Sequence, residues 1–302
     1  MSVVPSVSIV VTCYNYGRFL RGCLESVLAQ TYRDYEVLVI DDGSTDDSVE
    51  IAREFVAGER IRLHERENGG QAKAKNDGIR LARGAYIAFL DADDYWESDK
   101  LQRQVELLEG GDAGVVFSRS RQVNEAGKPV GSSSNNKYLL PRRGDVTGSL
   151  IFDNFVPFSS SVVRRECFEQ LGVFDENLAM AIDWDLWLRF SIRYKFDFVD
   201  APLFSYRVGH AGQMSKNRER RQACCDRIME RFLSQHPGVV PPSVLRRAHA
   251  YTWANRGRYY ERVDRTQAWR CHARSLRSRP FQFSAIKGLL RLAIRRLPRG
   301  HG

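Results

Sequence analysis

Residues 85–94 read Ala-Tyr-Ile-Ala-Phe-Leu-Asp-Ala-Asp-Asp, a strand-like apolar run that ends in three carboxylates within four positions. Unpaired carboxylates are costly to bury, so the cluster is expected at a sheet edge, solvated or neutralised by a cation. Asp91 and Asp93 are two apart and would point to the same side of a continuing strand. Two hard oxygen ligands at a phosphate-binding edge suit Mg²⁺ or Mn²⁺. Two further sites share this character. Asp41-Asp42-Gly43-Ser44 directly follows the apolar run Val37-Leu38-Val39-Ile40, and Asp183-Trp184-Asp185 opens the helical run from Leu186 to Phe190. A lone Asp after a strand is ordinarily a turn or cap residue. Two such sites at successive strands are a stronger coincidence, because parallel strands bring their carboxyl ends together, where ligands bind.

The elements that would position these groups alternate over the first hundred residues. Ser8–Thr12 is a short buried-strand run, and apolar residues at 19, 20, 23, 24, 27 and 28 form a helical stripe. Then follow Glu36–Ile40 as strand, Asp46–Val56 as helix, Ile61–His64 as strand, Ala72–Ala82 as helix and Ala85–Leu90 as strand, with Lys100–Leu108 as a further amphipathic helix. This order predicts an α/β fold with a mostly parallel central sheet flanked by helices. Residues 119–148 are rich in Ser, Asn, Gly and Arg and read either as a loop over a site or as a surface excursion. After about residue 213 the pattern becomes helical. Ala248–Ala273 reads as a helical hairpin turning at Asn255-Arg256-Gly257. In Phe281–Leu297, Phe283, Ile286, Leu290, Ala293 and Leu297 share one stripe, while Lys287, Arg291, Arg295 and Arg296 lie elsewhere.

The 302 residues are 43% hydrophobic and 27% charged, as expected of a globular protein with a substantial core. No apolar run approaches the roughly 20 residues of a transmembrane helix, and the start lacks the basic n-region of a signal peptide. The six cysteines (13, 23, 167, 224, 225, 271) show no Cys-x-x-Cys or zinc spacing, so free thiols in a cytoplasmic protein are the expectation. The net charge of +9 conceals an asymmetry: residues 213–302 hold 21 Lys/Arg against 5 Asp/Glu, leaving an acidic body. Such a tail suits an anionic partner. A basic amphipathic terminal helix could lie in a membrane interface, which would put the protein peripherally at the inner face of the plasma membrane, or it could pack its stripe on the protein.

Several motifs together carry a resemblance: Ser-Ile-Val-Val-Thr-Cys-Tyr-Asn (8–15), Ser26-Val27-Leu28-Ala29-Gln30-Thr31-Tyr32, Val39-Ile40-Asp41-Asp42-Gly43-Ser44, Asn68-Gly69-Gly70 with Ala74-Lys75-Asn76-Asp77-Gly78, Asp91-Ala92-Asp93-Asp94, and Asp183-Trp184-Asp185-Leu186-Trp187-Leu188-Arg189. In this order they resemble the family 2 glycosyltransferases of GT-A fold, over about residues 6–212. The resemblance implies a transferase domain over 1–212, with a nucleotide-sugar half (1–100) and an acceptor half (101–212), followed by the basic helical region 213–302. It implies a nucleotide diphosphate sugar donor (UDP foremost, GDP or dTDP as alternatives), a divalent cation (Mg²⁺ or Mn²⁺) and inversion at the anomeric carbon. Thr12 and Tyr14 would line the base pocket and Asp41 would hydrogen-bond the base. Asp91 would approach ribose or metal, Asp93 would ligate the metal, and Lys75, where relatives often carry Arg, would face ribose or phosphate. His210 matches a His placed near the metal or diphosphate. Asp183 would be the general base, kept ionised by the helix dipole, with Asp185 as its rival. Ile182 stands where many relatives have Glu. Trp184 and Trp96 could stack on sugar faces.

A nicotinamide or flavin enzyme would need a Gly-x-Gly-x-x-Gly turn after the first strand, where Cys13-Tyr14-Asn15-Tyr16-Gly17 stands instead. A nucleic-acid binder would use the Arg-rich tail, yet no nucleic-acid motif accompanies the charge. A non-catalytic sugar-nucleotide binder is disfavoured by the intact Asp41, Asp93 and Asp183. The expected acceptor is a glycan or lipid-linked glycan in surface polysaccharide or glycolipid synthesis, with a polyprenyl phosphate as the alternative.

Overall fold

The structure is a computed structural model that describes residues 4–56, 60–130, 137–213 and 217–294. In chain order its elements begin β1 (Val7–Cys13), α1 (Gly17–Leu28), β2 (Tyr35–Asp41), α2 (Ser48–Phe55), β3 (Ile61–Glu65), α3 (Gln71–Leu81) and β4 (Tyr86–Asp91). Next come β5 (Tyr95–Trp96), α4 (Lys100–Glu109), β6 (Ala113–Val123), α5 (Thr147–Leu150), β7 (Val162–Arg164), α6 (Arg165–Leu171), α7 (Ile182–Ser191) and β8 (Lys195–Arg207). Four helices follow: α8 (Arg218–Gln235), α9 (Pro242–Tyr260), α10 (Arg265–Ser278) and α11 (Phe283–Ile294).

The chain divides into two compact units, Met1–Val146 with Asn154–Phe232, and Thr147–Asp153 with Leu233–Gly302. Residues 213–232 therefore belong with the first unit rather than with the helical tail. The first unit carries a mixed sheet in the order β3-β2-β1-β4-β7-β6-β8-β5. Its first four strands are parallel, β7 runs antiparallel to both β4 and β6, and β6 and β8 are parallel again. Every residue of β1 and β2 is buried, as a sheet covered by helices on both faces requires. The chain leaves β1 toward β2 and β3 and returns to β4 on the other side, so β1 marks the switch point where open α/β sheets bind ligands. The register there is decisive. Cys13 is opposite Asp41 across β1–β2, and Thr12 is opposite Asp91 across β1–β4.

The loop expected over 119–148 is strand at its beginning. β6 continues to Val123 because β8 pairs with it as far as Arg207, and the chain then turns at Asn124–Lys128 with Gly127 at φ 75°. In the second unit, α9 and α10 form the expected antiparallel pair, but the connection is Glu261–Asp264. Asn255, Arg256 and Gly257 are inside α9. Gly257 is there for space rather than for a turn: a Cβ on it would approach the buried His272 ring to 2.4 Å. His272 in turn contacts Glu261 through Nε2 at 3.0 Å, and Glu261 accepts two bonds from Arg291 at 2.7 and 2.8 Å, tying α10 and α11 to the end of α9. Among the described residues none of the six cysteines forms a disulfide.

Candidate active site

Asp41 and Asp91 end β2 and β4 on either side of Thr12-Cys13 of β1, so the two carboxylates stand at one sheet edge by backbone register. Asp41 accepts the backbone N–H of Ser44 on Oδ2 at 2.9 Å, while its buried Oδ1 has no hydrogen-bond partner among the described residues. Such an acceptor is costly to leave unmet, and it is open to a donor supplied by a ligand. Tyr14, just past β1, is exposed. The neighbouring Asp42 holds the loop Arg66–Gly70 in place: its carboxylate accepts the backbone N–H groups of Gly69 (3.0 Å) and Gly70 (2.8 Å) and pairs with Arg66, which also reaches Asp77 at 2.8 Å. Gly43 lies against this loop. Its φ of 75° and a Cβ position 2.7 Å from the Asn68 nitrogen both exclude a larger residue.

Lys75 is buried on α3. Its ammonium donates to Asp91 Oδ1 at 2.8 Å and Thr12 Oγ1 at 3.2 Å, and lies 4.5 Å from the centre of the Phe158 ring. Asp91 also accepts from Thr12 Oγ1 at 3.1 Å. Lys75 thus pairs with Asp91 as a point charge, while Asp93 faces a different partner.

Asp93 meets His210. The Asp93 Oδ2 to His210 Nε2 distance is 3.0 Å, and His210 Nδ1 is 2.9 Å from the Ala211 carbonyl oxygen. A carbonyl only accepts, so Nδ1 carries the proton and a neutral ring then presents its Nε2 lone pair to a carboxylate oxygen. Two lone pairs facing each other need a shared proton or a cation. The separation of 3.0 Å also equals the edge of an octahedron with bonds of about 2.1 Å, as Mg²⁺ forms. A ligating His commonly donates its other N–H to a backbone carbonyl, as His210 does. The residues therefore fit a divalent cation. Among the described residues no three His, Cys, Asp or Glu side chains form a closed cage, so phosphates and water would complete the shell. Burial and the Asp91 charge push Asp93 up to about 6, against the pull of His210, and burial with the charge of Asp93 pushes Asp94 well above the ordinary carboxylate range.

Arg207, at the end of β8, fixes this turn. Its backbone N–H donates to Asp94 Oδ1 and its Nε to the Asp93 carbonyl, both at 2.9 Å, and Nη1 reaches the carbonyls of Asn124 and Glu125. His210 is packed edge-on against Tyr16 and Phe19 of the first βα connection and helix, at 5.6 and 5.2 Å between ring centres.

Asp183 stands in the first turn of α7, behind Ala181, whose φ of 57° is left-handed. Asn154 Nδ2 donates to its Oδ2 at 2.7 Å. Burial raises its carboxyl above the usual range against the opposing charge of Arg221, the backbone N–H of Trp184 and the charge of Lys75. Desolvation is the largest influence on this carboxyl, and the backbone N–H groups at the helix start act against it, in favour of ionisation. Lys75 bonds Asp91 directly and also lowers Asp183 through its charge, so both carboxylates feel the same cation. Asp185, the rival base, is buried and held by Arg189 Nε (3.0 Å) and Arg231 (2.5 Å). It ties α8 to α7. The two tryptophans are buried. Trp96 is committed to the core, with its indole N–H donated to the Ser159 carbonyl at 2.7 Å and the Lys100 ammonium 3.7 Å from its ring centre. That placement makes it a packing residue and corrects its expected contact with an acceptor sugar.

Asp42 stood in the sequence only as part of the Asp41-Asp42 motif, and Arg66, Asn154, Arg207 and Arg221 were not marked there. Each acts through a partner distant along the chain, as with Arg207 and Asp93, which are 114 positions apart. Only Asp42, beside Asp41, had a local signal.

The layered sheet with its carboxylate edge is that of a GT-A type glycosyltransferase. The chain belongs to the family described as Glycosyl transferase family 2, whose sequence profile matches residues 8–172. It is 33% identical over 216 residues to a hyaluronan synthase of Pasteurella multocida, covering 70% of this chain and 21% of that protein. It is 32% identical over 190 residues to a chondroitin synthase of Escherichia coli, covering 62% of this chain and 27% of that one. The chain spans about a fifth to a quarter of the length of these relatives. Residues 1–349 of S. aureus TarS, solved with UDP-GlcNAc, superpose with a TM-score of 0.70 at 17% identity, over 90% of this chain and 81% of that one. The mannosyltransferase PcManGT of Pyrobaculum calidifontis, solved with GDP-Man and Mn²⁺, gives 0.58 at 18% identity, over 97% and 76%. Residues 8–172 thus carry a family 2 glycosyltransferase domain.

Proposed function

We propose that the protein is an inverting, metal-dependent transferase that moves a sugar from a UDP-sugar to a hydroxyl of a glycan or lipid-linked glycan in surface polysaccharide or glycolipid synthesis. The observation that carries the donor half is the buried, unpartnered Oδ1 of Asp41 at the switch point of the sheet. A carboxylate oxygen there selects a base with a ring N–H. Uracil N3–H satisfies it, as would thymine or guanine, whereas cytosine and adenine offer no ring N–H. Thr12 and the exposed Tyr14, on either side of the Cys13 that is in register with Asp41, are the candidates to line the base pocket, and Lys75 would bring positive charge toward ribose or phosphate. Asp93 and His210, with Asp91 beside them, would hold Mg²⁺ or Mn²⁺. When bound, the cation neutralises charge on the diphosphate.

Asp183 supplies the base. Its oxygen takes the proton of the acceptor hydroxyl as that oxygen bonds to the anomeric carbon. The bond from that carbon to the diphosphate breaks, and the electron pair leaves on the nucleotide. A carboxylate raised by burial is a better proton acceptor than a solvated one, and Asn154 holds it in one orientation. The names of the two synthases support a glycan acceptor, and Trp184, next to Asp183, is the candidate contact for it. A thermal-shift screen of nucleotide diphosphate sugars with and without Mn²⁺ tests the donor: selective stabilisation by UDP-sugars is expected, and preference for a cytidine or adenosine donor would overturn the reading.

A further inference from the structure

α11 has two apolar faces. One is buried within the second unit through the small residues Ala285 and Gly288 and through Leu292. The other faces solvent and carries Phe283, Leu290 and Ile294 at 72%, 56% and 64% exposure, preceded by Phe281 at 75%. At 3.6 residues per turn, positions 283, 287, 290 and 294 fall within about 60° of arc, opposite the buried face. The single stripe expected over 283, 286, 290, 293 and 297 is thus replaced by a split helix, and Arg295, Arg296 and Leu297 lie outside the described residues. The buried face holds a glycine because its Cβ position is 2.2 Å from the His272 ring, so α11 sits close to α10 and its large side chains are left on the outer side.

The surroundings of this face are cationic. Residues 233–294 contain 12 Lys/Arg against only Glu261 and Asp264. Lys287 lies inside the apolar stripe, and Arg274, Arg277 and Arg279 are exposed on α10 and just after it. Glu261 is already paired with Arg291 and His272. Two copies of this chain brought together through this face would oppose like charges, which disfavours self-association. An anionic lipid surface meets both requirements at once, accepting aromatic and aliphatic side chains below the headgroups and Lys/Arg at their level. No described helix is long and apolar enough to cross a membrane, so the contact is interfacial.

We propose that the outer face of α11, with Phe281, is a peripheral docking surface for anionic lipid bilayers. The test is co-sedimentation of the full chain with vesicles of phosphatidylcholine alone and of phosphatidylcholine with phosphatidylglycerol. The anionic vesicles should bind at least tenfold more protein, and the combined variant F281S/F283S/L290S/I294S should lose that binding at least tenfold. These side chains are exposed, so its melting temperature should stay unchanged. Phe283→Trp gives a second readout, a blue shift of the added fluorescence on anionic vesicles only. Equal sedimentation of wild type and variant overturns the proposal. So does failure of the wild type to bind anionic vesicles, or a wild-type dimer in solution that the variant dissolves.

Discussion

Replacing Asp183 by Asn separates the proposed base from its surroundings. The amide is isosteric: its oxygen can still accept from Asn154 Nδ2, now 2.7 Å from the carboxylate, and the half-buried charge is removed rather than stranded. Folding is therefore expected to persist, and Asp41, Lys75 and Asp93 are untouched. The loss is confined to proton transfer, worth about 10²–10⁴-fold in kcat, or roughly 3–5 kcal/mol of activation free energy. The assay is steady-state sugar transfer at saturating donor, with the nucleotide dissociation constant measured separately by calorimetry. A kcat within tenfold of wild type refutes the base assignment, and loss of nucleotide affinity would move Asp183 to the donor site. The pH profile is a second arm. Asp183 must be ionised to work, and burial sets its pKa above the ordinary value, so activity falls as pH drops through that raised value. Arg221 holds it down, so Arg221→Gln should shift the acidic limb of kcat/KM to higher pH. An unmoved limb, or a move the other way, would show that Arg221 does not act on the base.

Asp41→Asn keeps an acceptor for the Ser44 N–H but turns the unpartnered oxygen into a donor. Loss of one hydrogen bond to a charged group, about 1.5–3 kcal/mol, should weaken UDP binding roughly 10- to 150-fold by calorimetry. Asp93→Asn should remove the response of nucleotide-sugar affinity to Mn²⁺ while leaving metal-free nucleotide binding near wild type; a retained response would place the cation elsewhere. Gly257→Ala adds helix propensity of about 1 kcal/mol but drives a Cβ to within 2.4 Å of a His272 ring held by Glu261 and faced by Gly288. Overpacking of about 1–3 kcal/mol should win, lowering the melting temperature, and a rise would mean that the ring can move aside.

The sheet half of the fold was legible in the sequence because it is built from local signals. Buried apolar runs of strand length alternate with helical stripes, and each run ends in the residues that the sheet edge needs. The same holds for Asp41, Asp91 and Asp93: strand ends in a parallel sheet converge by register alone. The motif order likewise carried the family resemblance. Local signals failed where packing overrode them. Asn255-Arg256-Gly257 reads as a turn, but the glycine makes room for His272 of the next helix. Trp96 reads as a sugar platform, but its N–H and ring are satisfied by Ser159 and Lys100 in the core.

By itself the sequence determined which residue types the site has and at which strand ends they stand, since both follow from pattern and period. Tertiary structure alone decided their states. It paired Lys75 with Asp91 and Asp93 with His210, left one oxygen of Asp41 without a partner, and joined Asp185 to Arg231. It also set desolvation against the helix-start N–H groups at Asp183. The reason is common to all of these: hydrogen bonding and desolvation depend on which distant segments come within about 3 Å, and no local period in the chain encodes that distance.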